Sequence, residues 1–94
     1  MAQRYKSIFQ TEFEQDFCYR CGRYAPEHWH HIFNASNKKR SEKYGAMIKV
    51  CWKCHRIIHD KEMKQTKQKA ERKMLEYYGW SEQDFIDIFG KNYL

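Results

Sequence analysis

The chain has 94 residues, enough for one domain and too few to bury a large core unaided, and its formal charge is +6. No stretch is apolar for long enough to span a bilayer, and the charged start, Met1 to Arg20, holds no continuous apolar run of the secretory kind. A cytoplasmic protein with no membrane partner is therefore expected. In a reducing compartment paired cysteines read as metal ligands, and a basic surface fits a polyanion such as DNA, although charge alone fits a merely well-solvated surface equally.

In chain order, Phe9, Phe13 and Phe17 recur at helical spacing and predict a short N-terminal helix. Glu27 to Phe33, rich in aromatic and imidazole side chains, reads as a strand. Asn34 to Tyr44 reads as a polar, basic loop, and Ala46 to Val50 as a second strand. From about Trp52 the pattern is helical, either as one helix unbroken to Tyr78, since no Gly or Pro interrupts it, or as more than one, with Met63, Thr66, Ala70, Met74 and Tyr77 forming an apolar stripe that reads as core packing. Gly79 reads as a C-terminal stop. Ser81 with Asp84 three residues on predicts a capped last helix, Glu82 to Phe89, which Phe85, Ile88 and Phe89 would dock onto the body. Trp29, Trp52 and Trp80 read as core or core-edge residues before base-stacking ones. The expected class is α+β, in one domain over residues 1–94, with a helical extension over 60–94.

Four cysteines fall as two C-x-x-C pairs, Cys18/Cys21 and Cys51/Cys54. Each pair brings two sulfurs to one ion around a tight turn, and zinc takes four thiolates tetrahedrally. A structural zinc there would close a long loop around both strands, and its binding free energy would be folding free energy. The alternative is a set of unligated buried thiols.

Four of the five histidines also pair, as His30-His31 and as His55 with His59. The second pair, four residues apart, shares one helical face. With His30 from the strand, three imidazoles would leave open positions on an ion, the mark of a catalytic rather than a structural centre. His31 would then be free to act as a base, since imidazole as a group can take a proton from water near neutral pH. His28 shares a strand face with His30 and reads as exposed or as a phosphate contact, with a spare ligand as a further alternative. The plain reading is that all of these are surface histidines.

C-Y-R-C at 18–21, H-H-I-F at 30–33 and V-C-W-K-C-H-R-I-I-H at 50–59 together resemble the zinc-stapled HNH endonucleases. S-E-K-Y-G at 41–45 and F-I-D-I-F-G-K-N-Y-L near the end resemble, more narrowly, small phage and prophage HNH proteins, among them the RecA-dependent recombination-enhancement nucleases. The resemblance implies a ββα-metal (His-Me finger) core over 18–59. It also implies a structural zinc on Cys18, Cys21, Cys51 and Cys54, and a catalytic divalent cation (magnesium, manganese, nickel or zinc) at His30, His55 and His59. His31 would be the general base. The motif's central Asn is missing: Ala46 stands there, leaving Asn34, Asn37 or Tyr44 to replace it.

These features lead to an expected metal-dependent nuclease hydrolysing DNA with little sequence specificity, with Lys38, Lys39, Arg40 and Lys43 holding phosphates. A solvated loop is the alternative for that basic run. A zinc-stabilised module that binds DNA or a protein without cleaving is the alternative for the whole chain, and a phage or recombination protein is a possible partner.

Overall fold

The computed structural model describes residues 5–94; residues 1–4, the start of the segment read as Met1 to Phe17, lie outside the described residues. The architecture is α+β, a two-stranded antiparallel sheet with helices and a cluster of four cysteines.

The N-terminal helix expected through Phe9, Phe13 and Phe17 is instead a single 3-10 turn, Glu14–Asp16. Thr11 and Glu14 cap it reciprocally, the Thr11 N–H donating to Glu14 Oε1 and the Glu14 N–H to Thr11 Oγ1. Long-range pairing stops it from growing. Buried Gln10 donates from Nε2 to the carbonyls of Glu14 and Phe17 and accepts the Lys49 N–H at 2.7 Å. Phe17 is extended and bridges Tyr24 across the Cys18/Cys21 turn. The helical spacing of the phenylalanines is thus not a buried face, and Phe13 is 72% exposed.

β1 (His28–His31) pairs with β2 (Met47–Val50) in the register His28 to Val50, Trp29 to Lys49, His30 to Ile48 and His31 to Met47. Both strands are shorter than the apolar patterns read from sequence. Between them the expected loop is mostly helical: a 3-10 turn, Ala35–Asn37, leads into α1 (Lys38–Tyr44). Its one buried residue is Ser41, whose Oγ accepts the Phe33 N–H and donates to the Phe33 carbonyl at 2.6 Å. With no apolar stripe, α1 leaves no periodic signal in the sequence. Gly45 ends it in the left-handed conformation, and a Cβ there would lie 2.9 Å from Ile8 Cγ2, so glycine meets both demands.

α2 (Trp52–Ile57) passes through a π-helical turn, Ile58–Glu62, into α3 (Met63–Tyr78). The inner face of α3 is Ala70, Glu71 and Met74, with Met63 and Thr66 partly buried. Tyr77 is exposed, and Tyr78 turns inward in its place: it stacks on Trp80 and donates its hydroxyl to the Tyr44 carbonyl. α4 (Glu82–Phe89) forms as expected, with the Ser81/Asp84 capping box complete and Gly79 and Gly90 left-handed at the two helix ends. Phe85 and Phe89 are buried against Phe33, and Ile88 is partly buried at the same core. Trp52 is exposed, whereas Trp29 and Trp80 are half-buried. No helix among the described residues is long and apolar enough to cross a membrane.

Candidate metal centres

The two cysteine pairs, 30 or more residues apart, meet where the N-terminal knuckle abuts the start of α2. One sulfur from each of Cys18, Cys21, Cys51 and Cys54 lies within 4.8 Å of all the others, and Cys21 Sγ is 3.8 Å from Cys51 Sγ. Tetrahedral zinc with Zn–S bonds of ~2.3 Å sets S···S at roughly 3.8 Å, so the cage fits that ion. Burial pushes the Cys18 thiol up, but the backbone N–H groups of Cys21, Cys51 and Arg20 overcome this and bring it down to about 6. Burial pushes Cys54 up to about 12 against a lowering hydrogen bond from Arg20.

His30, His55 and His59 form the second group, their ligating nitrogens also all within 4.8 Å of one another. β1 supplies His30, α2 His55 and the π-helical turn His59. His55 Nε2 and His59 Nε2 are 3.2 Å apart, close to the roughly 3.3 Å that two imidazoles on one tetrahedral zinc would show. His30 is 1% exposed and its Nε2 has no hydrogen-bond partner, a buried polar atom that a cation would satisfy. Burial, then the fields of His55 and His59, hold His30 down at about 3; burial and His59 hold His55 at about 4. Both imidazoles are therefore neutral at pH 7, the form that binds metal. Each group can hold a metal ion such as zinc.

His31 does not join this convergence. The pleat of β1 puts His28 and His30 on one face and Trp29 and His31 on the other, where Tyr5 packs edge-on against both Trp29 and His31. His31 still contributes to the fields at His30 and His55. Its Nε2 donates to Glu42 Oε2 at 2.7 Å. Glu42 escaped sequence reasoning, although it is the single acid in the run K-K-R-S-E-K-Y. Two of the residues proposed to replace the missing Asn are engaged elsewhere: Asn37 donates to the Phe89 carbonyl and accepts from Arg40, and Tyr44 packs on Tyr78 and Trp80.

Lys38, Lys39, Arg40 and Lys43 are exposed, on α1 rather than in a loop. His28 is exposed too, with its Nδ1 3.0 Å from His55 Nδ1. A groove of about 480 Å³ lies among Phe9, Ile32, Ile48, Ile58 and Ala70 and includes none of the histidines, so the imidazole group is not part of that hollow. Compared with known proteins, the chain matches no family model, no curated protein and no solved structure.

Proposed function

We propose that this chain is a metal-dependent HNH-type endonuclease that hydrolyses DNA phosphodiester bonds with little sequence specificity. The observation that carries the reading is the meeting of His30, from a strand, with His55 and His59, from the helical segment that follows the second strand. Sequence order, residue types and this convergence fit the ββα-metal core that the HNH resemblance implies, with the four-cysteine cage as its staple. The reading assigns the chain a nucleic-acid partner through its charge of +6 and the cations of α1.

The chemistry follows from the side chains. A divalent ion held by His30, His55 and His59 would supply Lewis-acid stabilisation to a phosphate oxygen and the leaving 3′ oxygen. With Nε2 donating to Glu42, a neutral His31 would leave Nδ1 to accept the proton of the attacking water. Glu42 fixes the tautomer and offsets the charge that His31 gains, the part the missing Asn leaves open. α1 carries Glu42 and the four cations together, so the element that orients the base would also grip flanking phosphates. Phosphate contacts of this kind carry no sequence information and weaken steeply with salt.

The position of His31 on the strand face opposite His30 favours a second reading, a zinc-stapled DNA-binding module that does not cleave. Plasmid nicking with magnesium, manganese or nickel, run beside His31→Ala and His55→Ala, separates the two. The nuclease reading expects nicking by the parent and none by either variant. DNA binding without nicking by the parent would replace it with the module.

A further inference from the structure

His55 has one nitrogen too many for its task. Its Nε2 lies 3.2 Å from His59 Nε2 and its Nδ1 lies 3.0 Å from His28 Nδ1. An imidazole can ligate through either nitrogen, and the one that carries the proton cannot. Something must therefore hold the proton on Nδ1 if Nε2 is to face the ion. The sheet register pairs His28 with Val50, the residue just before Cys51 at the cap of α2. His28 is thereby anchored beside the helix that carries His55, and its ring meets that of His55 edge to face with centroids 5.1 Å apart.

We propose that His28 is a positioning residue of the histidine centre: it accepts the Nδ1–H of His55 and so commits His55 Nε2 to the ion. This rests on reading His30, His55 and His59 as a metal centre. Metal-bound histidines generally donate their second N–H to a fixed acceptor, and removing such an acceptor costs about 10- to 100-fold in affinity. In this arrangement His28 touches neither metal nor substrate.

The test uses the full chain with its cysteine cage filled with zinc, titrated with nickel in a calorimeter, and nitrogen-15 NMR of the imidazoles as a second readout. His28→Ala is expected to weaken nickel binding about 10- to 100-fold while leaving zinc content and circular dichroism unchanged, and His28→Asn, whose amide oxygen can accept, to recover most of the loss. In the parent His55 should carry its proton on Nδ1, and in His28→Ala that preference should vanish. The proposal is overturned if His28→Ala binds nickel within about twofold of the parent, or loses binding as completely as His55→Ala, which would make His28 a ligand. A parent that takes up no second ion defeats the metal-centre reading instead. The His55 tautomer then still decides: an Nδ1 proton that depends on His28 upholds the orienting contact, and a tautomer indifferent to His28→Ala removes it.

Discussion

Arg20 grips Glu62 with two parallel hydrogen bonds, Nε to Oε1 and Nη2 to Oε2, each 2.9 Å, while its Nη1 reaches Cys54 Sγ at 3.5 Å. One guanidinium thus ties the C-x-x-C knuckle to the last residue of the π-helical turn that carries His59. Glu62 holds Arg20 charged, and the Arg20 hydrogen bond lowers the Glu62 carboxyl in turn. A zinc tetrathiolate is a dianion, so a fixed cation donating to one sulfur protects it from exchange. Arg20→Ala is expected to release zinc to a chromogenic chelator roughly tenfold faster than the parent. Arg20→Lys should not restore the parent rate, because a single ammonium cannot form the paired contact. Equal release rates for all three chains would remove Arg20 from the account.

The cage itself should decide whether the chain folds. Cys18 sits in the knuckle and Cys51 and Cys54 at the start of α2, so an ion held there would close a loop that contains both strands. Structural zinc is worth about 10–16 kcal/mol in small zinc-dependent folds, comparable with the whole stability of a domain this size. Cys51→Ser, or prolonged chelation of the parent, is expected to abolish the cooperative thermal transition seen by circular dichroism. A Cys51→Ser chain that binds no zinc and melts like the parent would refute the staple.

What the sequence discloses is what local chemistry writes into it. α4 is readable because Ser81, Asp84 and the two glycines are start and stop signals confined to a few residues, and the capping box forms as the spacing requires. Both candidate metal groups are readable because ligand spacing is itself local: each C-x-x-C makes its own turn, and His55 and His59 share a face of one helical segment. α1 is hidden because its anchor is a serine, and a helix with one buried hydroxyl has no hydrophobic period. The N-terminal phenylalanines mislead because Gln10 and the bridge from Phe17 to Tyr24, both tertiary, set the backbone there. Arg20 and Glu62 are 42 residues apart, and His31 and Glu42 are joined across the helical connection; neither pair has a sequence signature.

Glu42 should matter to activity more than to stability. It is partly exposed, and its 2.7 Å contact with His31 Nε2 is the one that would fix the base. If the nuclease reading holds, Glu42→Ala is expected to reduce the nicking rate by about 10²-fold, within the range ascribed to a general base, with little change in DNA affinity. Glu42→Gln, which still accepts but no longer balances the charge on His31, should fall between. Full nicking by Glu42→Ala would leave His31 held by something else. Lost DNA binding would instead make Glu42 a structural residue of the basic helix.

Glu71 gives a stability prediction with a definite sign. It is fully buried on α3; Oε1 accepts the Tyr93 N–H at 2.7 Å, while Oε2 has no partner. Burial pushes its carboxyl above the ordinary range, against the lowering effect of the Tyr93 N–H and with a smaller upward push from Glu82. A carboxyl whose folded pKa exceeds its unfolded one favours folding while protonated, so this group's contribution is present below about pH 4.3, the ordinary glutamate value, and is lost as pH rises through the raised folded value. Above that raised value the fold carries a half-satisfied buried charge. Glu71→Gln keeps the acceptor for Tyr93 and removes that charge, so it is expected to raise the melting temperature at pH 7.5 by a few degrees, on the order of 1 kcal/mol, and to change it little at pH 4. The measurement is the difference between variant and parent across that range, which cancels the titration of the histidines and the cage. A variant less stable than the parent at pH 7.5 and unchanged at pH 4 would mean that the charge is compensated by a partner for Oε2, such as a bound water or cation, and that the buried carboxylate supports the C-terminal segment rather than straining it.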